Sequence, residues 1–488
     1  MPDPAWPDRM GATDALFWLL DTVPELRSTI GALIVLERPP ALERVREEFD
    51  RVSRLHPRLR QVVVEVPWNL APPEWVPDPR LDLDYHVRVL AVPEPGGLPE
   101  VLAEVSPLYA TPLDRNRPLW EAYLVEGLMA GRGAIFVKMH HCVTDGVGGT
   151  RLLEALCGET HGASAAPPPA AAIPRATDPG SLLWRAAVDS LGEAATAARS
   201  VAGAVGAAVA DPAGTLAGLA QGARMAAAFG AQVAVPRAGS PLHRARSLSR
   251  RLATLDLAAA DVDAVRSRVG VTHNDVVLAI LSGALHRWHT ARGADVHELR
   301  ALVPVNLRAS EDATAGNRIG FLAASLPVGE PNPLERLRLL HARMQRFKAT
   351  RGAALYPLMT RTLLVLPVGV AAWVGQQQMQ RTNLVCTNVP GPRERCLFAG
   401  EGIERLYAFA PLVGDHPVAV ALFSYRDTIC VGLDVDPLGM PDLPCFVDAL
   451  EEARAELLAV CGVDGTRAGD RPGGDGTRRD AGQPGEGS

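Results

Sequence analysis

Ala134-Ile135-Phe136-Val137-Lys138-Met139-His140-His141-Cys142-Val143-Thr144-Asp145-Gly146 is the stretch on which the reading of this chain turns. Its first six residues form a short apolar run that is β-branched and aromatic-containing, which predicts a buried strand. Asp145-Gly146 turns the chain, and Gly148-Gly149 precede a helical pattern with Leu152, Leu153 and Leu156 on one side. Strand, turn and helix in succession indicate an α/β protein. The turn carries an H-H-x-x-x-D-G string, so a histidine pair is delivered to a strand end with a carboxylate close behind.

Near neutral pH histidine is the side chain that titrates without a large shift, which suits it to take a proton from a hydroxyl or thiol. Neighbours on a strand point to opposite faces, so His140 and His141 cannot both face one substrate while strand geometry holds. One is expected to be the base and the other a packed support. Asp145 can orient the loop by bonding backbone N–H groups or by pairing with an arginine, and Gly146 completes the turn. Cys142 is expected to point away from the working face of His141. Tandem histidines on a strand do not easily chelate one ion, and no second His or Cys cluster has ligand spacing, so no metal is expected.

Outward from this stretch, 488 residues exceed one compact core and suggest two domains. The chain is 47% hydrophobic and 21% charged with a net charge of −6, which argues against general affinity for nucleic acid. Seven cysteines without a C-x-x-C pair read as a reduced, cytoplasmic protein. No basic segment followed by an apolar stretch opens the chain, so no signal peptide is expected. The longest apolar run, Leu363 to Val374, is interrupted by Pro367 and is shorter than the roughly 20 residues of a spanning helix. Contact with a membrane, on its inner face, or with a lipid droplet would be peripheral.

Residues 1–160 read as strands (30–36, 60–66, 122–125, 134–139) alternating with helices (42–55, 99–108). Residues 161–250 form an Ala-rich linker with helical spacing at Trp184, Val188 and Leu191, which suits a crossover helix or a lipid surface. Within it and just beyond, Arg237, Arg244, Arg246, Arg250 and Arg251 are basic. They could meet phosphates or lie solvated in the linker. A second αβ pattern fills 251–463, with helices at 258–269, 274–288, 333–348 and 445–458 and strands at 252–257, 299–305, 320–328, 384–388, 418–424 and 429–434. Residues 464–488 are Gly-, Arg-, Asp- and Pro-rich and are expected to be disordered. Two αβ halves suggest a site between them. Asn274 either donates to an oxyanion or caps the helix it opens.

The chain resembles the bacterial wax ester synthase/diacylglycerol acyltransferase family, one of the CoA-dependent acyltransferases that share H-H-x-x-x-D-G. Six further ordered blocks carry the resemblance: Asp14-Ala15-Leu16-Phe17, Arg117-Pro118-Leu119-Trp120-Glu121, Asn274-Asp275-Val276-Val277-Leu278-Ala279, Val303-Pro304-Val305-Asn306-Leu307-Arg308, Gly316-Asn317-Arg318 and Asn388-Val389-Pro390-Gly391-Pro392. It implies two chloramphenicol-acetyltransferase-like αβ subdomains joined by a helical linker, with acyl-CoA and a lipid alcohol entering a tunnel between them. It implies catalytic roles for His141, His140, Asp145 and Gly146 and substrate contacts for Asn274, Asp275 and Arg308. No cofactor is expected, acyl-CoA being a co-substrate. The activity implied is esterification of a diacylglycerol, a long-chain alcohol or both, with His141 deprotonating the hydroxyl. Cys142 stands where the family often has a small apolar residue, and the linker is unusually rich in alanine. These departures bear on the acceptor more than on the reaction. A condensation-type transfer to a carrier-bound acceptor and a non-catalytic lipid-binding role are the rival readings. No carrier serine motif is visible, and a binding-only protein has no need of a base.

Overall fold

The structure, a computed structural model, describes residues 8–69, 71–144, 146–156, 178, 180–185, 187–188, 210–214, 216, 220, 239–306, 319–349 and 368–465. Asp145, Arg308, Arg237, most of the 161–250 linker and the tail from 466 lie outside the described residues.

The apolar run that opens the reading is β6 (Gly133–His140), and all eight of its residues are buried. Such a strand is covered on both faces, and its one lysine, Lys138, is buried against Glu121 at 3.3 Å. It lies inside a sheet of six strands: β1 (Thr29–Leu36), β4 (Val87–Ala91), β5 (Trp120–Glu126), β6, β11 (Leu397–Phe398) and β12 (Glu401–Phe409). Their spatial order is β11-β12-β1-β6-β5-β4. β1 and β6 run antiparallel with Thr29 opposite His140. β2 (Gln61–Val64) and β3 (Glu74–Pro77) form a separate hairpin. The second sheet holds β7 (Arg251–Ala258), β8 (Leu299–Asn306), β9 (Ile319–Leu326), β10 (Leu384–Val389), β13 (Val418–Tyr425) and β14 (Thr428–Val435), in the order β7-β14-β13-β10-β8-β9.

The helices are α1 (Ala12–Leu20), α2 (Leu42–Leu55), α3 (Leu83–His86), α4 (Leu98–Ala110), α5 (Gly146–Leu156), α6 (Ala259–Val269), α7 (His273–Thr290), α8 (Pro333–Ala349), α9 (Val368–Met379) and α10 (Leu443–Val460). α2 buries Val45, Phe49 and Val52, a stripe at helical spacing. α5 buries Leu152, Leu153 and Leu156, the side expected from the sequence. α6 stops at Gly270, whose φ of 77° favours glycine. α9 begins directly after Pro367, so the part of the apolar run from Val368 onward is helical. Each half has its own apolar cluster, and Phe423, Tyr425 and Cys430 of the second sheet pack into the first.

Sheet membership does not follow chain order. β11 and β12 fall inside 251–463, assigned by sequence to the C-terminal subdomain, yet they complete the first sheet beside β1. This crossover ties the halves together. On β12, Arg405 Nε lies 2.6 Å from Asp256 Oδ2 and the Tyr407 hydroxyl donates to Asp256 Oδ1 at 2.9 Å. Asp256 belongs to β7.

Candidate active site

α1 supplies the floor of the site. Asp14, Phe17, Trp18 and the C-cap residue Asp21 are spaced at three, four and seven positions, which sets them on one helical face. That face meets the end of β6. The Phe17 and His141 rings are 4.7 Å apart, and Trp18 meets the His140 ring edge-on at 6.2 Å. Trp18 is held in turn by Glu65, which accepts its indole N–H at 2.8 Å, and by Arg115, stacked 3.6 Å over its ring.

The two histidines separate because the chain turns. Val143 N donates to His140 O at 3.0 Å, closing a turn over His140–Val143. His140 is the last residue of the strand and is buried. His141 has left the strand, is half-buried, and is anchored through its backbone N–H to Ser28 O at 2.9 Å. The separation expected from strand alternation is thus achieved by a turn.

His140 is held by a hydrogen bond at Nδ1 and faces a carboxylate with Nε2. Its Nδ1 accepts the Cys142 backbone N–H at 3.1 Å and lies 2.9 Å from Cys142 Sγ. Nδ1 as acceptor puts the ring proton on Nε2, a tautomer assigned from this network. Nε2 lies 3.2 Å from Asp21 Oδ1. Burial works to raise the Asp21 carboxyl. Its contact with His140 and the charges of Arg115 and Arg27 outweigh burial and hold it below the usual carboxylate value.

Cys142 faces His140, not His141. Burial, helped by the nearby Asp14 and Asp21 charges, pushes its thiol well above the ordinary value. Thiol nucleophiles react as thiolates, and this site keeps the proton on sulfur. Beneath the loop Arg58 is buried over the Trp75 ring at 4.4 Å. Burial pushes its guanidinium down to about 10, with Asp14 opposing.

Gly146 opens α5 immediately beyond the turn. Asn274 is half-buried in the first turn of α7. Asp275 is buried, and its carboxylate accepts from Thr272 N at 3.0 Å, from Thr272 Oγ1 at 2.7 Å and from His341 Nδ1 at 2.7 Å. Thr272 Oγ1 accepts Asp275 N–H in return, so the pair is a capping box. These bonds all lie within the second half, which makes Asp275 a helix cap clasped by His341. Among the described residues no group of three or more His, Cys, Asp or Glu has the arrangement of a metal site.

Two arginines of the basic cluster are neither solvated nor open to phosphate. The Arg246 and Arg250 side chains are buried against backbone carbonyls and carboxylates. Asp21 and its helix face escaped the sequence reading, although the spacing from Asp14 to Asp21 was visible. Tyr109, which bonds the start of β1, had no local signal at all.

The family model described as the wax ester synthase/diacylglycerol acyltransferase catalytic domain matches residues 10–277, and its C-terminal domain matches 315–457. A Mycobacterium tuberculosis H37Rv protein assigned as a diacylglycerol O-acyltransferase is 34% identical over 470 residues, covering 94% of this chain and 93% of its own. Another from the same strain, assigned as the diacylglycerol O-acyltransferase tgs1, is 33% identical over 445 residues, covering 88% and 91%. The solved wax ester synthase/diacylglycerol acyltransferase of Marinobacter aquaeolei VT8 superposes with a TM-score of 0.61 at 27% identity, covering 93% of this chain and all of that one. The first condensation domain of the calcium-dependent antibiotic synthetase shares the fold, with a TM-score of 0.61 at 16% identity over 93% and 96%. Both halves of the family pattern are present in order on the shared fold, and the chain belongs to the wax ester synthase/diacylglycerol acyltransferase family of O-acyltransferases.

Proposed function

We propose that the protein passes the acyl group of acyl-CoA directly to the hydroxyl of a diacylglycerol or a long-chain alcohol, with His141 as general base. His141 takes the hydroxyl proton as the oxygen attacks the thioester carbonyl. The C–S bond breaks, the CoA thiolate leaves, and the imidazolium returns its proton to that sulfur. Asp145 keeps the motif loop in shape, and no metal or prosthetic group takes part.

One observation carries the assignment. His141 is the half-buried histidine, hung on Ser28 and backed by Phe17, while His140 is buried, hydrogen-bonded at Nδ1 and set beside Asp21. The test is an assay with palmitoyl-CoA against diacylglycerol and a panel of alcohols, read by thin-layer chromatography. His141→Ala is expected to lose about 10²–10⁴-fold in kcat. Near-native turnover by the folded variant sinks the assignment.

We also infer peripheral contact with a lipid surface. Among the described residues no helix is long and apolar enough to cross a membrane. Trp68, Trp184 and Trp373 are nevertheless 80%, 71% and 59% exposed. Trp68 lies in the β2–β3 turn, and Arg185, next to Trp184, pairs with Glu74 of β3 at 2.9 Å. α9, which carries Trp373, packs on α1. Tryptophan suits the boundary between water and lipid. Vesicle co-sedimentation is expected to fall in a Trp68→Ala/Trp373→Ala double variant. Unchanged sedimentation removes these residues from the contact.

A further inference from the structure

The backbone that holds the base is itself held by the other half of the protein. His141 hangs from Ser28 O. Ser28 lies in the segment 25–29 that leads into β1, and both ends of that segment are gripped. At one end, Glu25 O accepts from Gly414 N at 2.7 Å and from Arg246 Nη1 at 3.1 Å. The same Arg246 nitrogen reaches Leu412 O at 2.9 Å and Gly414 O at 3.2 Å. At the other end, Thr29 O accepts from the Tyr109 hydroxyl at 2.8 Å, and that hydroxyl also reaches Phe409 O at 3.1 Å.

Tyr109 is not free to choose this position. The Arg250 guanidinium lies 4.4 Å from its ring centroid, and Arg250 is paired with Asp434 of β14. Gly31 leaves the ring its room, since a Cβ there would sit 3.2 Å from Tyr109 Cε2. Arg246 and Arg250 both belong to the strap 239–250 that enters the second sheet. Their side chains are 3% and 5% exposed, and Asp434 is fully buried. Buried ion pairs are a poor source of stability, because desolvation offsets most of their attraction. Their geometry is directional, however, and it ends on Glu25 and, through Tyr109, on Thr29.

We propose that Arg250, with Arg246, is a positioning residue for acyl transfer: the strap of the second half clamps Glu25–Thr29 and so sets the turn on which His141 is presented. The proposal rests on His141 being the base. The site is then complete only while the halves are docked, and a shift of the strap is felt at the base.

Three variants test this with Tm, kcat and KM measured well below Tm. Tyr109→Phe keeps every charge pair and removes only the hydroxyl that holds Thr29. Arg250→Gln leaves Asp434 buried without its partner. Arg250→Gln/Asp434→Asn removes both charges. Misplacing a catalytic group by an ångström costs up to about 10²-fold, so kcat is expected to fall by about 10–100-fold in Tyr109→Phe and in the double variant, with KM for acyl-CoA unchanged. Tm is expected to fall in Arg250→Gln and to recover in the double variant, while kcat stays low. A purely structural role would restore kcat together with Tm. Wild-type kcat in the folded double variant overturns the proposal. If the double variant does not fold, wild-type kcat in Tyr109→Phe overturns it. His141→Ala run alongside separates the two failures. Near-native turnover there removes the base, whereas an inactive His141→Ala with fully active strap variants removes only the positioning role.

Discussion

Cys142 directly follows the proposed base, and a thiolate there would be the natural rival to direct transfer, forming an acyl-enzyme and passing it on. The turn at His140–Val143 swings the thiol onto His140 Nδ1, and burial keeps it protonated. Cys142→Ala is therefore expected to keep most activity, and acyl-CoA without acceptor is expected to leave no mass adduct. An adduct mapped to Cys142 together with an inactive alanine variant would overturn direct transfer. Thiol labelling gives an independent check among the described cysteines: exposed Cys445 reacts first and buried Cys142 is spared. At this scale the sequence showed which residue types gather at the strand end. Which histidine is left half-buried depends on Asp21, Phe17 and Ser28, which lie more than 100 positions away along the chain.

α7 shows how an element reuses a family block. Thr272 and Asp275 close its N-terminus reciprocally, and His341 of α8 completes the clasp. Burial would raise the Asp275 carboxyl, but hydrogen bonds from His341 and Thr272 reverse that and hold it below the usual 3.8. A group with a depressed folded pKa contributes stability that is complete above its unfolded value. That stability is lost as pH falls through the folded value. Asp275→Asn is expected to cost roughly 1.5–3 kcal/mol at neutral pH, the range for hydrogen bonds to a charged group. The gap in Tm from wild type should close as pH drops below 3.8. An equal gap at pH values on both sides assigns the loss to something other than the carboxylate charge. The helix was legible because its apolar positions are local, although its N-cap is Thr272 and not the Asn274 that the sequence offered. The clasp was not, because His341 is 66 positions distant.

The whole molecule depends on two sheets approaching closely where β12 crosses β13 and β14. Gly432 makes this possible, since a Cβ there would lie 1.9 Å from Ala408 O of β12. A backbone carbonyl cannot rotate away as a side-chain tip can. Gly432→Ala is expected to destabilise by about 1–3 kcal/mol, the usual cost of overpacking, and to reduce activity by moving β12 relative to the second sheet. Thermal unfolding and kcat check both parts. A variant with unchanged Tm shows that the sheets can separate without loss. β12 also shows where sheet membership departs from chain order, at residues 397–409. Its burial runs iBBiiBBiB, buried twice in succession rather than alternately, so it lacks the period-two signal of a strand covered on one face.

The sequence by itself determined the α/β class, most element positions and the family, because each rests on neighbours in the chain: apolar period, turn residues and ordered motif blocks. The helix expected at 42–55 is observed at Leu42–Leu55, and the strand expected at 134–139 at Gly133–His140. Only the tertiary structure decided that Asp275 is a cap, that Arg246 and Arg250 are buried clamps, and that β12 joins the first sheet. Each of these depends on which distant group supplies a carboxylate, a carbonyl or a strand edge. A charge in a polar stretch has the same local pattern whether it ends in water or in a buried pair, and the fold alone brings Asp434 to Arg250.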